Sequence, residues 1–324
     1  MAQPNSSFDE LASLTVNRYS KTLRDNVSNN IPTWAMFKDA GGIVEEGGTL
    51  QLIENLDFGD NATFTWFSGY DPISTTPREF ATTAAFDWKE CAGNATFSAR
   101  EVSINDEPSK QHDLVKGKLK NLERTITNNL GAAVYYIGTE SSGLAMAGAQ
   151  YLIADDPTTG TVGGINRATA GNEFFRNQLL SAATESITLS ATTIMDAMEL
   201  LYVRCTRGMD TPNLISFGDT YWRFFAGAVA TNQRYVREAD SGTAKTSHSY
   251  YIFKSAKVFH DPNAAATHGY FWNTEYTKIK VHKNRNLQPD KPRQPANQRA
   301  TVIPVDWMGN MITGNASLNG VLKA

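Results

Sequence analysis

The 324-residue chain is poor in cysteine and in long apolar runs. Its two cysteines, Cys91 and Cys205, are far apart and form no C-x-x-C pair, so we expect neither a disulfide scaffold nor a cysteine zinc site, but free thiols in a reducing compartment. No apolar run approaches the roughly 18 residues of a membrane-spanning helix. The first residues also lack the basic and apolar regions of a signal peptide. The sequence therefore predicts no membrane association.

Charge is also sparse: 19% of the residues are charged, and the net charge is −3. Such a chain is not a candidate for sequence-specific nucleic-acid binding, which needs a strongly basic domain. One basic run does occur near the end of the chain. We interpret it as a solvated or partner-facing strand edge and keep contact with a DNA backbone as the alternative. The run comprises Lys278, Lys280, Lys283, Arg285, Lys291, Arg293 and Arg299.

Catalytic motifs are missing as well. The sequence has no G-x-x-x-x-G-K-[ST], no G-x-S-x-G and no H-E-x-x-H. The Gly-rich stretch 160–164 and the pair Asp155-Asp156 are interpreted as turns. His260 and His268 are interpreted as ordinary strand and turn residues, since a Pro-Asn turn separates them. We therefore predict no enzyme, and no catalytic, cofactor or metal site.

What the chain does have is enough apolar residues, 41%, to bury a substantial core in two domains or one elaborated domain. Residues 1–48 are polar and interrupted by proline and glycine, so we expect an arm that must lie on something else, with one short amphipathic helix near 11–16. The Gly41-Gly42 and Gly47-Gly48 pairs are candidate joints in this arm.

Residues 49–104 are rich in β-formers and turn signals, which predicts an extended hairpin with strands at 50–54, 63–67, 80–88 and 95–102. Such a hairpin has few partners in its own chain. Its aromatic side chains must still be covered. We expect another chain to cover them, and a ligand-stacking platform is the alternative. The predicted intersubunit packing residues are Trp66, Phe67, Tyr70, Phe86 and Trp88.

Residues 106–137 give the clearest periodic signal. Asp106-Glu107-Pro108 is typical of a helix start, and Gly138 of a helix end. Between them, apolar residues recur every three or four positions, which predicts one buried stripe on a helix of roughly 45 Å. The predicted core of this helix consists of Val115, Leu119, Leu122, Ile126 and Leu130, followed by Ala133.

The remaining chain mixes short helices and strands without a βαβ rhythm, which favours the α+β class. Residues 139–175 and 284–299 are predicted to be loops. Helices are expected at 192–203 and 219–229. Strands are expected at 212–217, 250–253, 256–259, 269–272, 277–282, 301–307 and 311–313.

Several stretches resemble the major capsid proteins of tailed bacteriophages, which share their fold with encapsulin shells. Residues 64–71 and 86–89 resemble the extended loop of that family. Residues 123–125, leading into 135–139, resemble the end of its spine helix. Residues 154–167 with 174–177 are the most specific block, and 307–310 with 317–322 resemble the C-terminal ending of one phage subgroup.

The resemblance implies an α+β phage major-capsid fold in four parts. These are an N-terminal arm (1–48), an extended β-hairpin loop (49–104), a peripheral domain with the long spine helix (105–140 and 276–324) and an axial domain (141–275). It also implies a structural role as hexamers and pentamers in the icosahedral head of a virion that encloses double-stranded DNA without sequence specificity. Assembly would take place in the host cytoplasm. The implied partners are portal, scaffolding and decoration proteins.

Two rival functions stay open at this level. One is an encapsulin-like nanocompartment that encloses a protein cargo. The other, from a different class, is a soluble ligand- or carbohydrate-binding domain that uses the aromatic cluster with acids such as Asp71 and Asp87. The second rival predicts a discrete monomer or dimer with a pocket.

Overall fold

The computed structural model describes residues 26–27, 29–59, 63–72, 75–76, 79–104, 108–232 and 250–324. The helix predicted near 11–16 and the helix-start acids Asp106 and Glu107 lie outside these ranges. Within them, helices and strands are mixed as the α+β prediction requires. No helix in these ranges is both long and apolar enough to cross a membrane.

A four-stranded sheet carries the spatial order β1-β12-β13-β4. Its two long central strands are antiparallel, with irregular pairing between Val281 and Gln288, and β1 joins them in parallel. β12 continues through residues expected to be loop, because β13 provides it with a long partner. The strands are β1 (Ile43–Glu46), β4 (Lys89–Ser98), β12 (Thr277–Pro289) and β13 (Ala300–Thr313).

The spine helix predicted from periodicity is present as a helix of 26 residues, Pro108–Ala133, about 39 Å long at 1.5 Å per residue. Its apolar stripe is buried as predicted, with Leu122 half-buried. Val115 and Leu119 form a small core with Phe97 of β4 and Ile303 of β13. The stripe therefore fixes the helix to the four-stranded sheet.

The extended hairpin is a separate two-stranded sheet of β2 (Leu52–Asp57) and β3 (Ala81–Phe86). The expected strand at 63–67 is not a strand. The expected strand at 95–102 is also corrected. Its first part belongs to β4, which pairs along its whole length with β13, and a helix follows at Ala99–Ile104. The hairpin is thus shorter than the segment 49–104, because β13 offers β4 a better partner.

A six-stranded sheet has the order β7-β14-β11-β8-β10-β9. Two amphipathic helices, α7 (Ile194–Arg204) and α8 (Asp219–Asn232), pack on it through Leu201, Phe225 and their neighbours. Strand β14 comes from the predicted peripheral segment 276–324 but lies between β7 and β11 in this sheet. The strands are β7 (Gln178–Ser181), β8 (Leu214–Phe217), β9 (Tyr251–Phe253), β10 (Ala256–His260), β11 (His268–Trp272) and β14 (Gly320–Lys323).

The other elements are short. In chain order, the helices are α1 (Pro32–Asp39), α2 (Ala99–Ile104), α3 (Pro108–Ala133), α4 (Glu140–Gly143), α5 (Ala149–Leu152), α6 (Ala182–Glu185), α7 (Ile194–Arg204) and α8 (Asp219–Asn232), with single 3-10 turns at Glu173–Phe175 and Ala316–Leu318. A two-residue turn joins β5 (Thr161–Val162) to β6 (Ile165–Asn166), and the two strands form a small hairpin.

The turn of this small hairpin holds the extended hairpin in place. Gly163 has φ +57°, and its carbonyl oxygen accepts a hydrogen bond of 3.0 Å from the Ala85 nitrogen of β3. A Cβ atom at Gly163 would lie 2.9 Å from both Ala84 Cβ and Phe86 Cζ. The stretch interpreted as a flexible turn is therefore a close contact that only glycine fits.

Replacing Gly163 with alanine should lower the free energy of unfolding by about 1–3 kcal/mol, because it adds a clash to the left-handed backbone strain. The matched control is Gly160→Ala, since Gly160 has φ +84° but no atom within 4 Å of an added Cβ. Urea unfolding of both variants separates the two costs. Equal losses in both would show that the contact with β3 contributes nothing.

Candidate assembly surface

The root of the extended hairpin is buried by its own chain. Leu52, Leu56, Ala84 and Phe86 are at most 3% exposed and belong to the main hydrophobic core. Just beyond the strands, the rings of Phe58 and Phe174 stack with centroids 4.6 Å apart. The hairpin therefore projects from the body in a defined direction.

A partly buried ion cluster adds to this attachment. The Lys280 ammonium on β12 lies 2.8 Å from a Glu46 carboxylate oxygen on β1 and 2.6 Å from one of Glu54 on β2. Burial works against the charged form of Lys280, but its hydrogen bonds to the two glutamates prevail, and the pKa of Lys280 lies above its usual range. One lysine thus joins the four-stranded sheet to the hairpin.

The tip of the hairpin, residues 63–72, leaves its aromatic rings uncovered. Trp66 is 91% exposed and Tyr70 is fully exposed, and Phe64 and Phe67 are 75% and 60% exposed. The rings of Phe64 and Trp66 meet edge to face at 5.8 Å, and Asp71 accepts a hydrogen bond of 3.0 Å from the Ser68 nitrogen. Four large apolar side chains so close together are rarely left in water by a soluble monomer.

Two of the five predicted packing residues lie elsewhere. Phe86 is 3% exposed in the main core, so its own chain covers it, and we no longer expect it to contact another subunit. Trp88 is half-buried: its ring meets that of His282 edge to face, and its Nε1 donates a hydrogen bond of 3.0 Å to the Thr49 oxygen. The alternation of side chains along β3 places Phe86 on the inward face. Which face is inward depends on the partner strand, and the sequence alone did not identify that strand.

An apolar groove of about 310 Å³ runs between the spine helix α3 and the four-stranded sheet. Trp307 is 1% exposed at this groove, and its indole N–H has no hydrogen-bond partner among the described residues. The groove thus combines an apolar lining with one buried donor. Its lining includes Leu122, Ile126, Leu130, Leu144, Met146 and Trp307.

A buried arginine organises the loop beside the hairpin root. Arg167 is completely buried and donates hydrogen bonds to the Leu152 oxygen (2.6 Å), the Phe175 oxygen (3.0 Å) and Asn177 Oδ1 (3.3 Å). Burial lowers its pKa to about 10, so it remains charged at neutral pH. Sequence reasoning missed this role, because an arginine in a Gly-rich stretch gives no sign of the carbonyl groups that surround it.

The residues weighed for catalysis form separate pairs. His260 Nε2 lies 2.6 Å from Asp219 Oδ1, and His268 Nε2 lies 3.0 Å from Asp155 Oδ2. Lys323 lies 3.6 Å from the same Asp155 oxygen. Within the described ranges, no group of three or more His, Cys, Asp or Glu side chains could hold a metal ion.

Asp155 gives the fold a pH dependence. The hydrogen bond from His268 lowers the pKa of Asp155 below its usual range, although partial burial opposes this, and the charge of Lys323 adds to the lowering. A carboxyl group with a lowered pKa stabilises the fold at pH values above its unfolded pKa. That contribution is lost as the pH falls through the folded value.

The variant Asp155→Asn should therefore be less stable than the wild type at pH 7 and should lose less stability between pH 5 and pH 2. The difference should stay below about 1 kcal/mol, since solvent screens this partly exposed pair. Urea midpoints at pH 7, 5, 3 and 2 provide the measurement. Parallel pH curves for the two proteins would contradict the assignment.

No family model and no curated protein matches this sequence. Solved structures, in contrast, match nearly the whole chain. The capsid of cyanophage A-1(L) is similar with a TM-score of 0.59 at 11% identity, over 99% of this chain and 94% of that one. The capsid of the Myoviridae phage XM1 gives 0.57 at 12% identity, over 89% of this chain and 91% of that one.

An encapsulin shares the same architecture. The holo-SrpI encapsulin complex from Synechococcus elongatus gives a TM-score of 0.53 at 10% identity, over 86% of this chain and 82% of that one. Identities this low establish the architecture alone. Together with the long helix, the projecting hairpin and the six-stranded sheet, these matches confirm the resemblance in fold: the chain has the phage major-capsid fold that encapsulins share.

Proposed function

We propose that this chain is the structural subunit of a closed phage capsid shell. The observation that carries the proposal is the tip of the extended hairpin, where Phe64, Trp66, Phe67 and Tyr70 are exposed on a root that the chain itself fixes. The similar solved structures that are phage capsids support it. The role is mechanical, and no catalytic, cofactor or metal site is part of it.

The size of the exposed cluster fits an intersubunit contact. An aromatic side chain buries about 150–250 Å², so four of them remove on the order of 600–1,000 Å² from water. That is close to the roughly 800 Å² that each partner buries in a stable interface. The tip alone therefore has the area for a specific contact with a second copy.

The finer features follow as part of the same proposal. Copies associate as hexamers and pentamers around double-stranded DNA in the virion, after assembly in the host cytoplasm. Their partners are portal, scaffolding and decoration proteins. The four-stranded sheet and α3 form the peripheral domain. The six-stranded sheet forms the axial domain. The arm, predicted over residues 1–48, ends before β1, because Ile43–Glu46 pairs with β12 in the four-stranded sheet.

A protein-filled compartment is the second candidate, and the similarity to the SrpI encapsulin supports it. A ligand- or carbohydrate-binding domain is less well supported, because Asp71 of the tip holds the Ser68 turn and Asp87 accepts a hydrogen bond of 2.8 Å from Gln51 at the hairpin root. These two acids therefore do not line one pocket with the exposed aromatic rings.

Electron microscopy and sedimentation of the purified full chain test the proposal. We expect closed particles very much larger than the 35.6 kDa chain. Nuclease-resistant DNA in particles from infected cells supports the capsid, whereas a co-purifying protein cargo supports the compartment. A monomer or dimer at all concentrations and salt conditions, with carbohydrate or small-molecule binding, would overturn both shell functions.

A further inference from the structure

Three of the seven cations in the basic run near the end of the chain have carboxylate partners within the chain. Lys280 is paired with Glu46 and Glu54, as described above. Arg285 binds Asp306 at 2.7 Å and Glu90 at 2.8 Å. Arg293 pairs with Asp290. The DNA-contact alternative considered for this run is therefore weakened at these three residues, which already have carboxylate partners.

The spine helix α3 presents a different set of charges. Lys116, Lys120 and Arg124 are exposed and spaced four residues apart. Each step of four residues advances about 6 Å along the axis and rotates by only about 40°. The three cationic groups therefore form one stripe about 12 Å long, on the side of α3 away from its buried apolar residues.

On α3, one exposed acidic residue, Asp113, lies one turn before the first lysine of this stripe. From Lys116 to the end of α3, the single acidic residue is Glu123, which is 7% exposed. Among the described residues, no carboxylate lies within ion-pair distance of Lys116, Lys120 or Arg124. The neighbouring Lys118, in contrast, binds Glu101 at 2.6 Å.

We propose that the face of α3 bearing Lys116, Lys120 and Arg124 contacts nucleic-acid phosphates, and that this face therefore lines the interior of the shell. This rests on the proposed shell function. Lysine and arginine on flexible stems suit phosphate groups, and such contacts carry no sequence information. The chain can thus contact DNA locally although its net charge is −3.

The contact of a single chain is weak, as an interior wall requires. Three neutralised phosphates give a salt slope of about 2.7 for duplex DNA. That slope corresponds to a loss of affinity of about 40-fold between 50 and 200 mM salt. Repetition over many copies then gives a collective attraction without trapping any one DNA segment. An acidic protein segment is the rival occupant of this face.

The test compares two triple variants that remove the same charge. One is Lys116→Gln/Lys120→Gln/Arg124→Gln on α3. The other is Lys283→Gln/Lys291→Gln/Arg299→Gln, at three exposed positions of the terminal basic run. Fluorescence anisotropy measures binding of the full chain, kept below the concentration at which particles form, to a labelled 20-base-pair duplex and, separately, to labelled polyglutamate, from 50 to 200 mM salt. Sedimentation of the same proteins above that concentration reports particle formation.

We expect the α3 variant to bind duplex DNA at least tenfold more weakly than the wild type at 50 mM salt, with a salt slope smaller by about 2–3. The terminal-run variant should stay within about twofold of the wild type. Equal losses in both variants, no loss in the α3 variant, or wild-type binding to polyglutamate without binding to DNA would each overturn the proposal. If the α3 variant forms normal particles and binds DNA as the wild type does, the proposed contact between α3 and DNA is rejected, but the shell function is not. If the wild type forms no particles, the shell function itself is rejected.

Discussion

Replacing Trp66 with alanine is expected to abolish closed particles, or reduce their yield at least tenfold, without changing the stability of the subunit. The side chain is 91% exposed, so the isolated chain gains nothing from it. Truncating a tryptophan at the centre of a packed interface costs about 2–4 kcal/mol of binding free energy. In a shell this loss recurs at every copy. Particle yield by electron microscopy and the urea midpoint of the subunit are the two measurements.

The control for this variant is Trp272→Ala. Trp272 is completely buried, and its indole nitrogen donates a hydrogen bond of 3.1 Å to Ser216 Oγ. Its removal should lower the free energy of unfolding by about 3–5 kcal/mol. Trp66→Ala with a normal particle yield would show that the tip does not contact other copies. A lowered urea midpoint in Trp66→Ala would show that the tip packs on its own chain.

The second large effect is expected for Arg167→Met, which should lower the free energy of unfolding by about 3–5 kcal/mol. The substitution leaves the carbonyl oxygens of Leu152 and Phe175 buried without the donor they have here, and each such group costs about 1–3 kcal/mol. Asn177 Oδ1 loses one of its two donors and keeps the Ala154 nitrogen at 3.1 Å. Urea unfolding of the subunit measures the loss. Because Arg167 lies beside the hairpin root, particle yield should fall with stability.

Two further variants define this effect. Arg167→Lys keeps the charge but loses the planar fork of donors, so an intermediate loss is expected. Arg223→Met removes an exposed arginine of α8 and should stay within about 0.5 kcal/mol of the wild type. A loss below about 1 kcal/mol in Arg167→Met would mean that water replaces the guanidinium, and that this arginine does not organise the loop.

The spine helix was predictable because its signal is local. Val115, Leu119, Ile126 and Leu130 lie on one face whatever the helix packs against, and the structure buries all four. The strands at 256–260 and 268–272 were predictable for a similar reason, since short apolar runs between turn signals leave few alternatives. The exposed tip was also recognisable, because its aromatic residues stand in a stretch with few apolar neighbours.

Most failures of prediction concern partners distant in sequence. Whether residues 89–98 extend the hairpin or join another sheet depends on β13, about 200 residues later. The burial of Phe86 depends on Gly163, and the role of Arg167 depends on carbonyl groups that fold around it. A pattern within one segment carries no information about such pairings, since either partner satisfies the backbone equally well.

The position of β14 has a consequence for synthesis on the ribosome. The six-stranded sheet joins β7 to β11 only through β14, so its strands cannot close into one layer until residues 320–323 have left the exit tunnel. At about 5–20 residues per second, β7 waits roughly 7–28 s for this neighbour. A nascent chain therefore exposes its aromatic tip long before the six-stranded sheet is complete. Neighbouring nascent chains on one polysome could associate prematurely through these tips, and the cell has to prevent this.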